Sequence, residues 1–197
     1  MYKSDYNLKG PDPQNLILPE SMLVPEDAPI VYMIVGLPGS GKTTFAKDFS
    51  RQAKAAIMSP PDIFKSLCGE NVTVQGFDDQ ATWVLNNTLS WYINKRFPVI
   101  IDSVGIRKEH RKDYIETAKA MKARIHCFHI VCDDTELIKR HQAANVPREV
   151  SIAYMNVYEP PSMKEGFTNI TLHSTSTVKD LGEKFDIKKK LFKHAGK

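Results

Sequence analysis

The sequence lacks long hydrophobic runs, an apolar leader and a set of cysteines spaced for metal binding. Its apolar runs are only a few residues long, which excludes a membrane-crossing helix. The opening MYKSDYNLKGPDPQ does not combine a basic start with an apolar core, so we expect no secretory signal. Of three cysteines, Cys127 and Cys132 fall in one strand-like segment, where buried free thiols are expected. Together these features predict a cytoplasmic protein.

The overall composition is that of a globular domain with a mildly basic charge. Hydrophobic residues make up 42% and charged residues 25% of the 197-residue chain, which suits one well-cored domain. The formal net charge of +4 permits an anionic partner without requiring one. Part of this excess lies in the final segment FDIKKKLFKHAGK. We expect this segment to be solvated, and contact with a nucleic acid backbone is the alternative.

Short apolar segments alternate with amphipathic segments from Ile30 onward. Strands are predicted at Ile30–Val35, Ala55–Met58, Pro98–Ile101, Ile125–Cys132 and Asn169–Leu172. Helices are predicted at Thr43–Lys54, Pro61–Cys68, Phe77–Lys95, Lys108–Lys122, Thr135–Ala144 and Glu149–Tyr158. This alternation predicts an α/β fold with a parallel sheet flanked by helices. We expect an irregular N-terminal arm over residues 1–28, one domain over 29–173 and a basic tail over 174–197.

The segment GLPGSGKT, from Gly36 to Thr43, matches the phosphate-binding pattern G-x-x-x-x-G-K-[ST]. Its glycines allow a tight turn whose backbone N–H groups face phosphate oxygens, and the following helix adds its partial positive charge. We expect Lys42 to reach the β- and γ-phosphates and Thr43 to bind Mg²⁺. The predicted ligands are therefore ATP and Mg²⁺. The predicted nucleotide-binding residues are Gly36, Leu37, Pro38, Gly39, Ser40, Gly41, Lys42, Thr43 and Thr44.

A phosphotransferase is favoured over a motor or a guanine-specific switch, because the sequence has no N-K-x-D motif and no segment suited to a motor module. Such an enzyme needs a base, and Asp62 in SPPDIFKS follows the second strand, where ligands collect in parallel sheets. The alternative for Asp62 is a helix N-cap. Lys65 shares its helix face and is a candidate for binding an anionic substrate group, with an ordinary surface lysine as the alternative.

A second carboxylate, Asp102, ends the buried strand in PVIIDS. Its expected place is near Mg²⁺ or the substrate, and capping of the next helix is the alternative. Ser103 is its polar neighbour. Arg107 and Arg111 follow and are candidates for contacting substrate phosphates, with a solvated helix start as the alternative for both.

The segment TELIKRHQAANVPREV predicts a short helical lid over the nucleotide. A helix carrying Lys139 and Arg140 is broken at Val146–Pro147 and followed by Arg148. Cations in a lid neutralise charge that spreads over the γ-phosphate in the transition state, so Arg140 and Arg148 are predicted catalytic residues. The alternative for each cation is a solvated helix face.

Two further groups of side chains are predicted to be structural. Trp83, Trp91 and Tyr92 lie in one helical segment, and their spacing predicts core positions rather than a surface for stacking bases. His126 and His129 fall in the fourth strand without a metal-binding partner in the sequence pattern.

With these motifs in view, the chain resembles the P-loop polynucleotide 5′-kinase family, which includes phage enzymes and the kinase half of the animal end-repair enzymes. The resemblance runs from about Ile30 to Ile170. It rests on GLPGSGKTTFAKDF, SPPDIFK, VIIDS, TELIKR and VPREVSIAYMNVYEPPSMKEGFTNI. It implies that Lys42 and Thr43 handle the phosphates and Mg²⁺. It also implies that Asp62 is the general base and that Asp102 lies near the metal or the acceptor's phosphate.

The chain departs from the family pattern on the acceptor side. Lys65 stands where the family's D-x-x-R element has arginine, so bidentate phosphate recognition is lost. Val104 and Gly105 follow Ser103, where the family often has Asn or Thr. The lid is shorter, with Ala144 near the position of the family's next arginine, and no D-x-D-G-T phosphatase signature is present. Because these departures lie on the acceptor side, they bear on the identity of the acceptor more than on the phosphoryl-transfer chemistry.

The expected reaction is transfer of the γ-phosphate of ATP to a hydroxyl on nucleic acid. The acceptor is a 5′-terminal hydroxyl of DNA or RNA, or a hydroxymethyl group on a DNA base, which would have to be flipped out of a duplex. One alternative is a kinase of a nucleoside, sugar or antibiotic, which would show no salt-dependent DNA binding. The other is a non-catalytic nucleotide-binding module that recruits a partner through its terminal arms. The sequence gives no indication of the oligomeric state.

Overall fold

A computed structural model describes residues 7–8, 28–69, 78–103 and 105–175 of the chain. The strands are β1 (Asn7–Leu8), β2 (Ile30–Val35), β3 (Ala56–Met58), β4 (Val99–Asp102), β5 (Arg124–Val131) and β6 (Asn169–Ser174). The α-helices are α1 (Lys42–Ala53), α2 (Pro60–Cys68), α3 (Asp78–Asn94), α4 (Lys108–Ala120), α5 (Asp134–Ala143) and α6 (Arg148–Val157). A short 3₁₀ helix spans Met163–Glu165. Within the described ranges, no helix combines the length and the apolar character needed to cross a membrane.

The strands form one parallel sheet in the order β1-β6-β5-β2-β4-β3. β2 is central, and its Ile34 pairs with Asp102 of β4 on one side and with Phe128 of β5 on the other. The chain adds β4 and β3 on one side of β2, and β5 and β6 on the other. The crevice beyond the carboxyl end of β2 is therefore a topological switch point, where α/β sheets bind ligands. The predicted α/β class with a P-loop-type parallel sheet is confirmed.

The two faces of the sheet are covered by different helices. All six residues of β2 are buried, as expected for a parallel strand that is covered on both faces. On one face Tyr32 and Phe128 pack against Phe45 and Phe49 of α1, and the Tyr32 and Phe49 rings meet edge to face at 4.8 Å. This aromatic packing holds α1 against β2 and so orients the loop between them. The opposite face packs against α3 and α4 through Leu85, Leu89, Tyr114 and Ile115.

The helices and strands predicted from residue 30 onward are all present, with ends that differ by at most two residues. β5 ends at Val131, so Cys132 lies beyond the strand and is only partly buried, whereas Cys127 is a buried free thiol as predicted. Of the predicted N-terminal arm, residues 7–8 form β1 beside β6. The rest of that arm up to residue 27, and the tail beyond residue 175, lie outside the described residues. The division into arm, domain and tail therefore stays a prediction.

The predicted core positions of Trp83 and Trp91 are wrong. Their side chains are 67% and 52% exposed, while Tyr92 is half-buried against the core. The helical spacing correctly places Trp83 and Trp91 on one side of α3, but a different side of the helix faces the sheet. The buried side consists of Leu85, Leu89 and Ile93.

The two strand histidines have structural roles. His126 Nε2 lies 2.9 Å from Thr171 Oγ1, and His129 Nε2 lies 2.7 Å from the Tyr158 hydroxyl. Burial lowers the pKa of His126 to about 4, so its ring is neutral near pH 7. Both histidines therefore connect β5 to neighbouring segments, which agrees with the structural role predicted for them.

Arg111 is neither a solvated residue at a helix start nor a substrate contact. It is fully buried and forms a bidentate ion pair with Glu165, with N–O distances of 2.7 and 2.8 Å. Its Nη1 also donates to the carbonyl oxygens of Gly105 at 2.6 Å and Glu159 at 2.9 Å. Arg111 therefore fastens the loop after β4 to the segment after α6.

Replacing Arg111 with methionine should lower the free energy of unfolding by about 3–5 kcal/mol, because it leaves the largely buried Glu165 carboxylate without its counter-ion. The matched control is Lys112→Met, since Lys112 makes only an exposed 3.7 Å ion pair with Glu116. That change should shift stability by no more than about 0.5 kcal/mol. Urea denaturation of both variants measures the difference, and equal losses would contradict the assigned role of Arg111.

Candidate active site

The loop between β2 and α1 ends in a helix whose first turn lacks a side-chain cap. α1 begins at Lys42, and its N-cap residue is Gly41, which has no side chain that could accept from the first-turn amides. These amides, with the partial positive charge of the helix, form an anion-binding position. The loop therefore has the local structure that its sequence predicts.

Two glycines are required by the close packing of this loop. A Cβ on Gly36 would collide with the backbone oxygen of Ile130 and lie 2.9 Å from Ser40 Oγ. Gly39 has φ of 76°, and a Cβ there would lie 2.9 Å from the His141 ring. The loop is thus held between β5 and α5, with no room for larger residues at these positions.

Lys42 is folded beneath the loop. Its Nζ donates a 2.8 Å hydrogen bond to the Leu37 carbonyl, and the side chain is buried. Burial lowers the pKa of Lys42 to about 8, and the nearby Asp102 carboxylate partly opposes this shift. A phosphate group that replaced the Leu37 carbonyl as partner would favour the charged ammonium and raise this pKa again.

A cleft of about 620 Å³ opens beside the loop and the start of α1. Its lining includes Gly41, Lys42, Thr43, Thr44, Arg140, His173 and Thr175. Thr43 and Thr44 are exposed, whereas the Ser40 Oγ is buried and has no hydrogen-bond partner among the described residues. The cleft is large enough for a nucleotide-sized ligand.

Asp102 and Ser103 lie at the end of β4, directly beside the strand that leads into the loop. Each is 8% exposed, and the Asp102 carboxylate is close enough to Lys42 to influence its pKa. Asp102 does not cap the next helix, because α4 begins at Lys108 with Arg107 as its N-cap residue. The capping alternative for Asp102 is therefore wrong.

Asp62 lies at the same edge of the sheet, because α2 follows β3 and β3 neighbours β4. The N-cap residue of α2 is Ser59, whose Oγ accepts from the Asp62 backbone N–H at 3.4 Å. Asp62 is thus not the N-cap but lies in the first turn, with an exposed side chain. Lys65 is exposed in the same helix, one turn further on.

Three further arginines had a predicted role in the site, and only one of them contacts the loop. Arg140 contacts the loop, since its Nη1 donates to the Gly39 carbonyl at 3.3 Å while its Nε pairs with Glu136 at 3.1 Å. Arg148 begins α6 with an exposed side chain, and its guanidinium makes no hydrogen bond or ion pair with the described residues. Arg107 is exposed at the start of α4.

His141 is a site residue that the sequence did not reveal. It is buried, and its ring bridges the Pro38 carbonyl at 2.8 Å and the Ser151 hydroxyl at 2.7 Å. Because a carbonyl can only accept, Nε2 donates to Pro38. The Ser151 hydroxyl also lies 3.3 Å from the Pro147 carbonyl, to which it can donate. Thr175 makes a similar contact, donating to the Ser40 carbonyl at 2.9 Å. No local sequence motif predicts either contact, because the two residues of each pair are distant in sequence.

Replacing His141 with alanine should weaken nucleotide binding about tenfold, since it leaves the Pro38 carbonyl without its partner and loosens the loop. Titration with a fluorescent ATP analogue measures the effect. His110→Ala is the control, because His110 is exposed on α4. Unchanged affinity in His141→Ala would show that the loop keeps its shape without this bridge.

This sheet order, with the loop at its switch point, defines a P-loop NTPase-type α/β fold. Residues 31–161 match the model of the AAA domain family, and the chain belongs to that family. It is also similar to a chain of the Pnkp1/Rnl/Hen1 complex, with 25% identity and a TM-score of 0.52. That match covers 57% of this chain and 39% of the other, so the present chain spans less than half of that protein.

Two other solved structures match over most of their length. A candidate kinase from Chloroflexus aurantiacus has a TM-score of 0.61 at 13% identity, with 85% of this chain and 98% of that chain covered. The Mycobacterium tuberculosis APS kinase CysC, in complex with AMPPNP and APS, has a TM-score of 0.58 at 13% identity, with 82% and 96% covered. These two share the fold. The resemblance to P-loop polynucleotide kinases is confirmed by the family match and the Pnkp1 likeness.

Proposed function

We propose that the protein transfers the γ-phosphate of ATP, with Mg²⁺, to a hydroxyl group of a nucleic acid. The observation that carries this proposal is the exposed Asp62 carboxylate at the edge of the sheet that also holds Lys42 and Asp102. A phosphate-binding loop by itself serves hydrolysis and transfer equally well. A solvent-accessible carboxylate at the same end of the sheet is suited to be the base that an acceptor hydroxyl needs.

The described residues fit a nucleoside triphosphate. The uncapped first turn of α1, the Lys42 ammonium and the Arg140 guanidinium all face the loop region, and the adjoining cleft offers the necessary volume. The part of the chain that is described holds no cluster of three His, Cys, Asp or Glu side chains suited to a metal. In nucleotide sites Mg²⁺ is held by few protein ligands together with phosphate oxygens and water. Thr43 and Asp102 are the residues assigned to it, and bound Mg²⁺ would neutralise phosphate charge.

The reaction follows from these roles. Asp62 accepts the proton of the acceptor hydroxyl, whose oxygen forms a bond to the γ-phosphorus while the bond to the β-phosphate oxygen breaks and ADP leaves. Lys42 and Arg140 stabilise the negative charge on the phosphoryl oxygens. Arg148 joins them only if α6 approaches the loop when nucleotide is bound.

Nucleic acid is the favoured acceptor. The similar Pnkp1 chain belongs to what is described as an RNA repair complex. Lys65 and Arg107 are exposed cations, assigned with Ser103 to the acceptor's anionic groups, and the chain carries a net charge of +4. A hydroxymethyl group on a DNA base is an acceptor of the same class and fits the departures of Lys65 and Val104 from the end-kinase pattern. A small-molecule acceptor is the second candidate, because the fold also matches APS kinase over most of its length.

The test is transfer of labelled γ-phosphate to a panel of acceptors. The panel contains 5′-hydroxyl DNA and RNA, duplex DNA with hydroxymethyl bases, and a mixture of nucleosides and sugars. Label on polynucleotide ends or on internal bases supports the proposal and identifies the acceptor. Label on small molecules alone would overturn the nucleic-acid assignment and leave the phosphoryl chemistry intact.

A further inference from the structure

One side of α3 presents large aromatic rings to solvent. Trp83, Trp91 and the following Phe97 are 67%, 52% and 55% exposed. Trp83, Asn87 and Trp91 are spaced four residues apart, so they lie along one line on the helix surface. We call Trp83, Trp91 and Phe97 the aromatic stripe. Exposed rings of this size in a row are uncommon on a monomer's surface and mark interaction sites.

At the C-terminal end of the stripe, Trp91 and Phe97 form a preformed platform. The Trp91 and Phe97 rings are stacked, with centroids 6.2 Å apart and planes within 16° of parallel. A left-handed residue, Arg96 with φ of 57°, turns the chain at the end of α3. The Phe97 backbone N–H then donates to the Tyr92 carbonyl at 3.0 Å. Hydrogen-bonded turn geometry thus places Phe97 beside Trp91, which lowers the ordering cost of binding a flat ligand.

The end of α3 that carries Trp91 is basic, whereas the helix begins with Asp78 and Asp79, about one turn before Trp83. Lys95 and Arg96 are exposed immediately before Phe97, and the sequence has no Asp or Glu from residue 80 to residue 98. Exposed aromatic rings beside cations are the combination that binds single-stranded nucleic acid: bases stack on the rings and the cations attract the backbone.

We infer that the aromatic stripe is a stacking surface for unpaired bases of a nucleic acid strand that also contacts Lys95 and Arg96. In its link to catalysis this rests on the proposed function, with the bound strand serving as the acceptor. α3 runs opposite to β4, so Trp83 lies toward the end of the sheet that carries Asp102, and Phe97 lies toward the other end. The eight residues from Trp83 to Trp91 span about 12 Å of helix axis. This length equals about three to four stacked bases at 3.4 Å each.

The two tryptophans of the chain, Trp83 and Trp91, both belong to the stripe, so intrinsic fluorescence reports on it directly. An unlabelled twelve-nucleotide oligothymidylate should quench this fluorescence, and the affinity should fall steeply with added salt. Fluorescence anisotropy of the labelled oligonucleotide then compares variants. Trp83→Ala/Trp91→Ala should weaken binding about tenfold or more, while Trp83→Phe/Trp91→Phe should retain most of it. The matched control is Ile57→Ala, an exposed apolar residue on the opposite face of the sheet.

Kinetics separate this inference from the proposed function. The double alanine variant should lose about tenfold in kcat/KM for a long acceptor and keep its rate on a dinucleotide too short to reach the stripe. Equal oligonucleotide affinity for wild type and the double alanine variant would overturn the inference, even if transfer to nucleic acid occurs. A concentration-dependent dimer that the double variant loses, without oligonucleotide binding, would also overturn it. Oligonucleotide binding that depends on the stripe, in a protein that transfers no phosphate to nucleic acid, would support the surface and refute the proposed function.

Discussion

Lys42→Ala should reduce phosphate transfer by about 10³-fold or more, because electrostatic stabilisation of the transferring group supplies most of the protein's contribution to such reactions. Lys42 is the buried cation of the loop and is held by the Leu37 carbonyl. Its low-dielectric surroundings strengthen its attraction to phosphate oxygens relative to a lysine in water. Single-turnover transfer from labelled ATP at saturating acceptor measures the loss.

The control for this prediction is Lys47→Ala. Lys47 lies in the same helix, α1, but its side chain is exposed. Removing it takes the same charge from the chain without touching the loop, so the rate should stay within about twofold, as expected for a surface substitution. Full turnover by Lys42→Ala would contradict the assignment of the loop as the phosphate site.

Asp62→Asn should lower the rate of transfer by about 10²-fold or more while nucleotide binding is retained, in line with the usual contribution of a general base. Asparagine keeps the size of the side chain and cannot accept the proton of the acceptor hydroxyl. Because Ser59 is the N-cap of α2, the helix keeps its cap in this variant. The expected change is therefore in kcat, with little change in the melting temperature.

Asp113→Asn serves as the comparison, since Asp113 is an exposed carboxylate on α4. It should leave the transfer rate and nucleotide affinity as they are in the wild type. If Asp62→Asn turns over as fast as Asp113→Asn, then Asp62 only stabilises the start of α2, and the base is another residue.

The alternation of apolar strands and amphipathic helices was sufficient to predict the fold. IVYMIV is apolar throughout, because β2 is covered on both faces, and this makes a central parallel strand recognisable without its neighbours. The phosphate loop was equally predictable, because its glycines, Lys42 and Thr43 are close together in the sequence and act as one local structure.

The sequence could not predict the contacts between segments that are distant along the chain. His141 and Pro38 meet across the loop, and Arg111 meets Glu165 after a separation of 54 residues. A single histidine or arginine in a helix carries no sign of such a partner. The predicted burial of Trp83 and Trp91 was wrong for a related reason. Helical spacing tells which residues share a side of α3, but the strands that α3 packs against decide which side is buried.

In the proposed reaction the γ-phosphate passes to nucleic acid and not to water. The most direct measurement follows the label of γ-labelled ATP, in the presence of Mg²⁺, with and without 5′-hydroxyl oligonucleotide or hydroxymethyl duplex DNA. We expect slow release of inorganic phosphate without acceptor, and label transferred to nucleic acid when acceptor is added. Release of inorganic phosphate at the same rate under both conditions, with no label on nucleic acid, would contradict the proposed reaction and indicate hydrolysis.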